Sequence, residues 1–423
     1  MYSGGQGVYL HYLTREMLRA GHEVHVISGR PYPRLADGVV HHRLHTYSMW
    51  AFLDGRDEHA YAAAPFAFLH PFNFYEFAST RLSLASLFLT FSIRAYRKLR
   101  EIEALNGPFD LIHDNQTLGY GVLAMKRLLG RPVVASIHHP LAIDRANNLR
   151  ESTSVLRTIS RHAWFPGAMQ SRVANGVDRV LTGSRNSALS VSRAMDIPLD
   201  HIRQTPYGVD DEIMRPLPGV EREPAAILFV GDSEDRNKGA RYLIEACAKV
   251  AQVADFRLLF KDKKEKDMKV VPPLVWKHGL NRFVQYLPRL SADELVRLYN
   301  RAQILVSPSL YEGFGLPAAE AMACGTAVIA TTAGAFPEFI EDGRTGVLVP
   351  PGDADALAEA ILALLRDPAR CRVMGAAASE HIRSHFTWRR TAERTEQIYR
   401  EVLGEAGSSP PPHMHDGSHS AVR

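Results

Sequence analysis

Residues 307–325, S-P-S-L-Y-E-G-F-G-L-P-A-A-E-A-M-A-C-G, decide how the second half of this chain folds. The apolar run 303–306 before them predicts a buried parallel strand. The chain then turns at Gly313 and Gly315, and Pro317 sits where a starting helix tolerates a missing N–H. Strand, glycine turn and helix N-terminus together predict an anion site, because unpaired backbone N–H groups and the positive end of the helix dipole face the ligand.

Two carboxylates flank this turn. Glu312 stands before it and Glu320 lies in the helix that follows. A carboxylate beside a bound phosphate would be repelled unless it meets hydroxyl groups, so we expect a phosphorylated sugar or a nucleotide as ligand. The alternative is an ordinary strand–loop–helix unit with a capping glutamate.

Length and composition restrict the class of protein. A chain of 423 residues predicts two domains of roughly 180–200 residues each. The hydrophobic content of 46% is that of a globular protein, and a net charge of +4 gives no indication of nucleic-acid binding. Cys247, Cys324 and Cys371 are too widely spaced to predict a metal site or a disulfide framework. Without a signal peptide at the N-terminus, we expect a cytoplasmic protein.

An apolar segment at 82–93 is followed by a basic run at 94–100. The segment is shorter than the ~20 residues that span a bilayer. We favour a buried core helix with a solvated basic end. A weak peripheral contact with the inner surface of the membrane is the alternative.

Strand patterns alternate with helix patterns along most of the chain. Such alternation predicts an α/β fold with mostly parallel sheets covered on both faces. Prolines and charges at 209–224 predict a linker between two Rossmann-like domains. We therefore expect domains at 1–208 and 225–385 whose sheets face each other across a cleft, a helix at 386–403 that returns to the first domain, and a disordered tail at 404–423.

The N-terminus carries Gly4, Gly5 and Gly7 before an amphipathic helix. A glycine-rich loop that opens a helix in an α/β protein normally follows a first strand. Only three residues precede Gly4, so we expect either a start codon placed too late, which we favour, or a fold that lacks this central strand.

Further polar candidates follow predicted strands. Lys238, with Arg236 nearby, opens a helix after the strand at 225–231 and suits a diphosphate; a surface loop with balanced charges is the alternative. His138 and His139 end the strand at 132–138 and could bind a sugar hydroxyl or a departing phosphate, or simply cap the strand. Asn115 could bind acceptor hydroxyls.

With these residues in view, the chain resembles the family-4 retaining glycosyltransferases, which have the GT-B fold. Glu312 and Glu320 are separated by seven residues, as in the E-x7-E motif of that family. The resemblance covers nearly the whole chain through further motifs at 4–5, 21–24, 207–210, 238–239 and 345–353. It implies transfer of a sugar from a nucleotide-diphosphate-sugar to a hydroxyl acceptor with retained anomeric configuration and without a metal. The partners implied are the two substrates; oligomeric state is left open.

The resemblance also implies roles for individual residues. Glu320 would bind the ribose diol, Lys238 the diphosphate, and Glu312 would face the donor sugar. The catalytic residues implied are His138, Glu312 and Lys238. Those implied for the donor are Gly5, Arg236, Lys238, Gly313, Phe314, Gly315, Leu316 and Glu320, and those for the acceptor are Gly4, Gln6, Asn115 and His139.

Two positions depart from the family pattern. Asp232 stands where the family usually has an arginine, so Arg236 is the expected substitute. Tyr207 replaces the usual asparagine. There are two alternative functions: the chain could be a sugar-nucleotide 2-epimerase of related fold, or an inactive protein that binds nucleotide sugars.

Overall fold

The structure, a computed structural model, describes residues 4–46, 70–80, 84–138, 167–287 and 290–404. The chain divides into two compact units. The first comprises Met1–Gly183, Ser187–Thr205 and Ala392–Arg423, and the second comprises Ser184–Asn186 and Pro206–Thr391. The segment predicted as a linker, 209–224, lies in the second unit, where Val209 and Met214 are buried.

The first unit contains two parallel sheets. One has two strands, β1 (His25–Ser28) and β2 (Val40–Arg43). The other has four, in the order β3-β4-β5-β6: β3 (Ile112–Asn115), β4 (Val133–Ser136), β5 (Arg179–Thr182) and β6 (Ile202–Gln204). The described helices are α1 (Gly4–Arg19), α2 (Pro71–Thr80), α3 (Leu84–Asn106), α4 (Tyr120–Leu129), α5 (Gly167–Gly176) and α6 (Arg185–Met195).

Strand β4, one of the two inner strands of the four-stranded sheet, is buried on both faces, as the inner strands of a parallel sheet are. All four residues of β4, V-V-A-S, are buried. Helix α4 covers this sheet with Val122 and Met125 and ends at Gly130, whose φ of 68° lies in the left-handed region that glycine favours. These features bear out the predicted alternation of strands and helices.

The second unit has one six-stranded parallel sheet, in the order β12-β11-β10-β7-β8-β9. Its strands are β7 (Ala226–Val230), β8 (Arg257–Lys261), β9 (Val284–Leu287), β10 (Ile304–Ser307), β11 (Ala327–Thr331) and β12 (Val347–Val349). The helices are α7 (Ala240–Val250), α8 (Val271–Lys277), α9 (Ala292–Arg301), α10 (Leu316–Ala323), α11 (Phe336–Phe339), α12 (Ala354–Arg366) and α13 (Pro368–His385). The last helix, α14 (Trp388–Val402), belongs to the first unit from Ala392 onward.

Strand β7 shows why this sheet is covered on both sides. Ile227 and Phe229 pack into one hydrophobic cluster, and Ala226 and Leu228 pack into the other. Successive side chains of a strand point to opposite faces, so a continuous apolar run requires helices on both. The α/β fold with parallel sheets is therefore confirmed.

Several boundaries differ from the sequence expectations. Gly4–Gly7 form the first turn of α1 and not a loop before it. The long helix expected at about 75–106 is seen as α2 and α3, with 81–83 outside the described residues. The expected helical region at 151–175 is described only from Gly167, and of the expected tail only Gly404 is described.

Helix α3 contains most of the segment considered for a membrane contact. Ala95, Leu99 and Ile102 on this helix are buried, and Arg94 donates to the fully buried Glu76 at 2.7 Å. Among the described residues, no helix is long and apolar enough to cross a membrane. The peripheral contact stays a prediction.

Candidate functional site

The topology of the second unit places two loops side by side. Strand β7 lies between β10 and β8, so the connections that follow β7 and β10 leave the sheet at neighbouring carboxyl ends. In an open parallel sheet, ligands bind at the carboxyl ends where the strand order reverses. Lys238 lies in the connection after β7, and Glu312 lies in the connection after β10.

Lys238 and Glu312 meet at this edge. The Lys238 Nζ donates to Glu312 Oε2 at 2.7 Å, and Ser309 Oγ donates to the same oxygen at 3.4 Å. The side chain of Lys238 is 30% exposed, so a ligand can reach the ammonium group. The pair presents one cation and one carboxylate to the same space.

Tight backbone contacts fix the position of this pair. A Cβ at Gly239, where φ is +63°, would lie 1.9 Å from the carbonyl oxygen of Pro308. A Cβ at Gly334 would lie 2.0 Å from the carbonyl oxygen of Glu312. No side chain fits at these distances, so glycine is required at both positions.

Two helix N-termini adjoin the pair. Helix α7 begins after Gly239, and α10 begins after Gly315, whose φ is 100°. The first N–H groups of a helix have no partner within the helix and carry partial positive charge. Gly313 and Phe314 form the turn before α10, with Phe314 buried against Phe339, and Leu316 is the first helical residue.

Glu320 lies on α10 and has a partner that the sequence does not indicate. Tyr299 on α9 donates its hydroxyl to Glu320 Oε2 at 2.7 Å. Burial raises the pKa of Glu320 to about 7, against the lowering effects of the Tyr299 hydrogen bond and of Lys261. Glu320 is therefore a fixed acceptor whose charge changes near neutral pH.

The connection after β7 also holds Asp232, one of the two departures from the family pattern, and Arg236, its expected substitute. Arg236 is exposed in a short 3-10 turn, Arg236–Lys238, which starts where Asp235 accepts a hydrogen bond from the N–H of Asn237. Asp232 forms an ion pair of 2.9 Å with Lys263. The negative charge of Asp232 is thus matched within the unit.

In the first unit, His138 and Asn115 lie together at the ends of β4 and β3. The His138 Nε2 donates to Asn115 Oδ1 at 2.5 Å, and Asn115 Nδ2 donates to the carbonyl oxygen of Gln6 at 3.5 Å. The His138 N–H donates to Gln116 Oε1 at 2.7 Å. Burial lowers the pKa of His138 to about 3, so its imidazole is neutral at physiological pH.

A second polar chain runs behind these residues. His113 shares a hydrogen bond of 2.7 Å with Ser136 Oγ, which also bonds the Tyr9 hydroxyl at 3.0 Å. The other ring nitrogen of His113 bonds the Tyr399 hydroxyl at 2.5 Å, and burial lowers the pKa of His113 to about 4. The Tyr9 ring packs edge-on against the His138 ring, with 4.6 Å between the ring centroids.

The structure thus brings together some of the residues singled out from the sequence. Lys238 pairs with Glu312, and Asn115 joins His138 to Gln6. Gly4 and Gly5 begin α1, and a Cβ at Gly5 would meet nothing within 4 Å, so packing does not demand glycine there. His139 lies outside the described residues.

Sequence reasoning missed the supporting side chains, which are Tyr299, Tyr9, His113, Ser136 and Tyr399. They lie within helices or strands and carry no motif, so only the folded structure identifies them. Among the residues that the structure describes, no group of three or more His, Cys, Asp or Glu is arranged to hold a metal ion.

Comparison with known proteins identifies the family of the chain. Residues 210–381 match the family described as Glycosyl transferases group 1, and residues 3–213 match the family described as Glycosyltransferase Family 4. The chain is similar to the MMP alpha-(1->4)-mannosyltransferase of Mycolicibacterium hassiacum, with 32% identity over 416 residues that cover 96% of each protein.

Solved structures share the fold. The sucrose-phosphate synthase of Thermosynechococcus elongatus has a TM-score of 0.72 at 23% identity and covers 95% of this chain and 94% of that one. Anabaena HepE in complex with UDP and glucose has a TM-score of 0.66 at 18% identity and covers 94% of this chain and 96% of that one. These likenesses show the GT-B fold. The family matches and the 32% identity with the mannosyltransferase establish that the chain belongs to glycosyltransferase family 4.

Proposed function

We propose that this glycosyltransferase moves a hexosyl group from a nucleotide-diphosphate-sugar to a hydroxyl acceptor with retention of the anomeric configuration. The observation that carries the proposal is the Lys238–Glu312 pair beside two helix N-termini in the second unit. A mannosyltransferase relative and a structural neighbour solved with UDP and glucose support a hexosyl nucleotide as donor.

The donor would be held by charge and hydroxyl recognition. Lys238 and Arg236 would bind the diphosphate, with Gly5 close to the phosphates, and the amides of Gly313–Leu316 would contact the donor together with Glu312. Glu320, held by Tyr299, would accept hydrogen bonds from the ribose diol. A carboxylate that meets two hydroxyl groups needs no counter-cation.

The chemistry would be a dissociative substitution in which the acceptor attacks the face that the diphosphate leaves. Lys238 and the helix N-terminal amides would stabilise the departing charge. His138 would contact the donor sugar near the reacting carbon as a neutral imidazole, since burial keeps its pKa at about 3. Gly4, Gln6, Asn115 and His139 remain the proposed acceptor residues. We keep the prediction that transfer needs no metal; activity that survives EDTA would support it.

A thermal-shift screen of nucleotide sugars that vary in base and in gluco or manno configuration tests the donor. The variants Lys238→Ala and Glu320→Ala should bind the stabilising donor weakly and transfer it slowly with little loss of folding. Wild-type turnover in both variants would refute the site assignment.

Two further measurements separate the alternative functions. An epimerase converts the donor without an acceptor, whereas a transferase consumes it only slowly by hydrolysis, so incubation with donor alone distinguishes them. An inactive binding protein would show nucleotide binding by calorimetry with no product on any acceptor. The product's anomeric configuration, measured by NMR, tests retention.

A further inference from the structure

Lys261 stands at the carboxyl end of β8, beside the strand whose connection carries Lys238. Val230 and Lys261 pair in the register of β7 and β8, and each is the last residue of its strand. The Gly231 N–H donates to the Lys261 carbonyl at 3.2 Å. Lys261 therefore lies at the same edge of the sheet as the proposed donor residues.

The side chain of Lys261 points to the face of the sheet that α9 and α10 cover. Phe260 packs into one hydrophobic cluster, whereas Leu259 packs into the other, together with Tyr299 of α9 and with residues of α10. Successive side chains of a strand alternate between the two faces, so Lys261 shares the face of Leu259. Glu320 of α10 accepts its hydrogen bond from Tyr299 on this face.

Electrostatics agree with this placement. Burial raises the pKa of Glu320, and the Tyr299 hydrogen bond and the charge of Lys261 both lower it. Within the described part of the chain, the Lys261 ammonium forms neither an ion pair nor a hydrogen bond, and the Glu320 carboxylate accepts only the bond from Tyr299. Both side chains keep part of their surface open to a ligand. A cation and a carboxylate thus lie near each other without pairing directly.

The backbone at this strand end is held from both neighbouring strands. The Asp262 N–H donates to a carbonyl of β9 at 3.2 Å, and the Asp262 carboxylate accepts from the Ser233 N–H at 2.8 Å and from its hydroxyl at 2.5 Å. Lys263, two positions after Lys261, is exposed and forms an ion pair with Asp232. Lys261 differs from it in that its charge is unpaired on a fixed strand end.

We propose that Lys261 is a donor-binding residue that completes, with Glu320, the site for the ribose diol of the nucleotide. This role rests on the proposed function, since it requires a nucleotide-diphosphate-sugar as donor. Glu320 accepts the protons of the two hydroxyl groups, and the Lys261 ammonium donates to the oxygen of one of them.

The chemistry of a diol calls for both groups. Each hydroxyl has a proton to donate and lone pairs that accept, whereas a carboxylate only accepts and an ammonium only donates. Glu320 alone would leave the lone pairs of the diol unsatisfied. A phosphate is the rival ligand for a free lysine, but the Glu320 carboxylate would repel a phosphate at this position. The diol is therefore the part of the donor that fits between Lys261 and Glu320.

The test is a cycle that changes one group on the protein and one on the ligand. Calorimetry with UDP, GDP and ADP identifies the nucleotide that the wild type binds, and its 2′,3′-dideoxy form is the second ligand. Lys261→Met keeps an unbranched side chain and removes the ammonium, so it should weaken binding of the ribonucleotide about tenfold or more. It should weaken binding of the dideoxynucleotide less than about threefold, because the hydroxyl that Lys261 meets is missing.

Three further variants serve as controls. Lys263→Met should leave both affinities unchanged, because Lys263 is exposed and paired with Asp232. Lys238→Ala should weaken both ligands by a similar factor, since both carry the diphosphate. Lys261→Gln, which also removes the charge, gives the same comparison if Lys261→Met lowers the thermal midpoint.

The outcomes separate this role from the proposed function. Equal losses for the two ligands in Lys261→Met would overturn the ribose contact and assign the lysine to the phosphates. An unchanged affinity for the ribonucleotide would overturn the role of Lys261 and leave the proposed function intact. A wild type that binds none of the nucleotides would refute the proposed function itself, and the role of Lys261 with it.

Discussion

Lys238 reaches across from the connection after β7 to donate a 2.7 Å hydrogen bond to Glu312 in the connection after β10. The two residues are 74 positions apart, yet the contacts of Gly239 with Pro308 and of Gly334 with Glu312 leave their backbones little freedom. The cation is thus held in place within the unit, and in the role proposed for Lys238 this would lower the cost of ordering it in the transition state.

Replacement of Lys238 by Ala should lower kcat/KM about 10²–10³-fold, because a positioned cation that meets developing negative charge contributes that much. The measurement is the release of nucleoside diphosphate in the presence of acceptor. Lys263→Ala is the matched control, since Lys263 forms an exposed ion pair with Asp232. Equal losses in the two variants would contradict the role of Lys238.

The donor KM should depend on pH through Glu320. Its pKa of about 7 means that the carboxylate, the better acceptor for a diol, is lost below neutral pH. We expect KM to rise about tenfold per pH unit well below pH 7 and to level above it. Glu320→Gln should raise KM and remove the dependence. A flat profile in the wild type would count against the proposed diol contact.

The thermal stability of the protein should fall as pH rises, because of Glu320. The folded pKa of Glu320, about 7, lies above the ordinary 4.5, so its contribution is present below pH 4.5 and is lost as pH rises through 7. Relative to Glu320→Gln, the wild type should therefore lose thermal stability between pH 5 and 8. Thermal unfolding of the wild type and of Glu320→Gln at each pH is the measurement. A difference in midpoint that stays constant with pH would refute the prediction.

Tyr299→Phe should act through Glu320 and not on the substrate. The Tyr299 hydrogen bond lowers the pKa of Glu320, so its loss should raise that pKa further and move the KM profile to higher pH. We expect kcat to change less than threefold, roughly the effect of losing one supporting contact. If activity falls equally at every pH and the dependence of KM on pH is unchanged, Tyr299 has only a structural role.

Gly239→Ala should destabilise the second unit strongly. Its Cβ would lie 1.9 Å from the Pro308 carbonyl oxygen at a φ of +63°. We expect a loss of about 3 kcal/mol or more in the free energy of unfolding. Gly219→Ala is the control, because φ is +78° there but the space is open, so backbone strain alone costs about 1 kcal/mol. Urea unfolding of both variants should separate the two costs, and similar losses would be inconsistent with the steric argument.

Acid should destabilise the first unit through His113. Its folded pKa of about 4 lies below the ordinary 6.5, so its contribution is present above pH 6.5 and is lost as pH falls toward 4. Between pH 7 and 5 the free energy of unfolding of the wild type should fall by on the order of 1 kcal/mol more than that of His113→Gln. An NMR titration of His113 with a midpoint near 6.5 would contradict the expectation.

The sequence predicted the parts of the fold that depend on local pattern. The strand and glycine turn around Gly315 were predicted because apolar runs, glycine and proline act over a few residues. The hydrogen bond from Tyr299 to Glu320 was not predicted, because Tyr299 lies on another helix and reaches Glu320 only in the folded unit. The linker at 209–224 stays a prediction from prolines and charges; composition does not indicate that Val209 and Met214 within it are buried.

The last helix has a consequence for the synthesis of the chain. His113 meets Tyr399, and Arg179 and Arg203 form ion pairs with Glu401. These partners emerge from the ribosome only after the whole of Pro206–Thr391 has been made. The last contacts of the first unit can therefore form only when translation is nearly over, although most of its residues are made first.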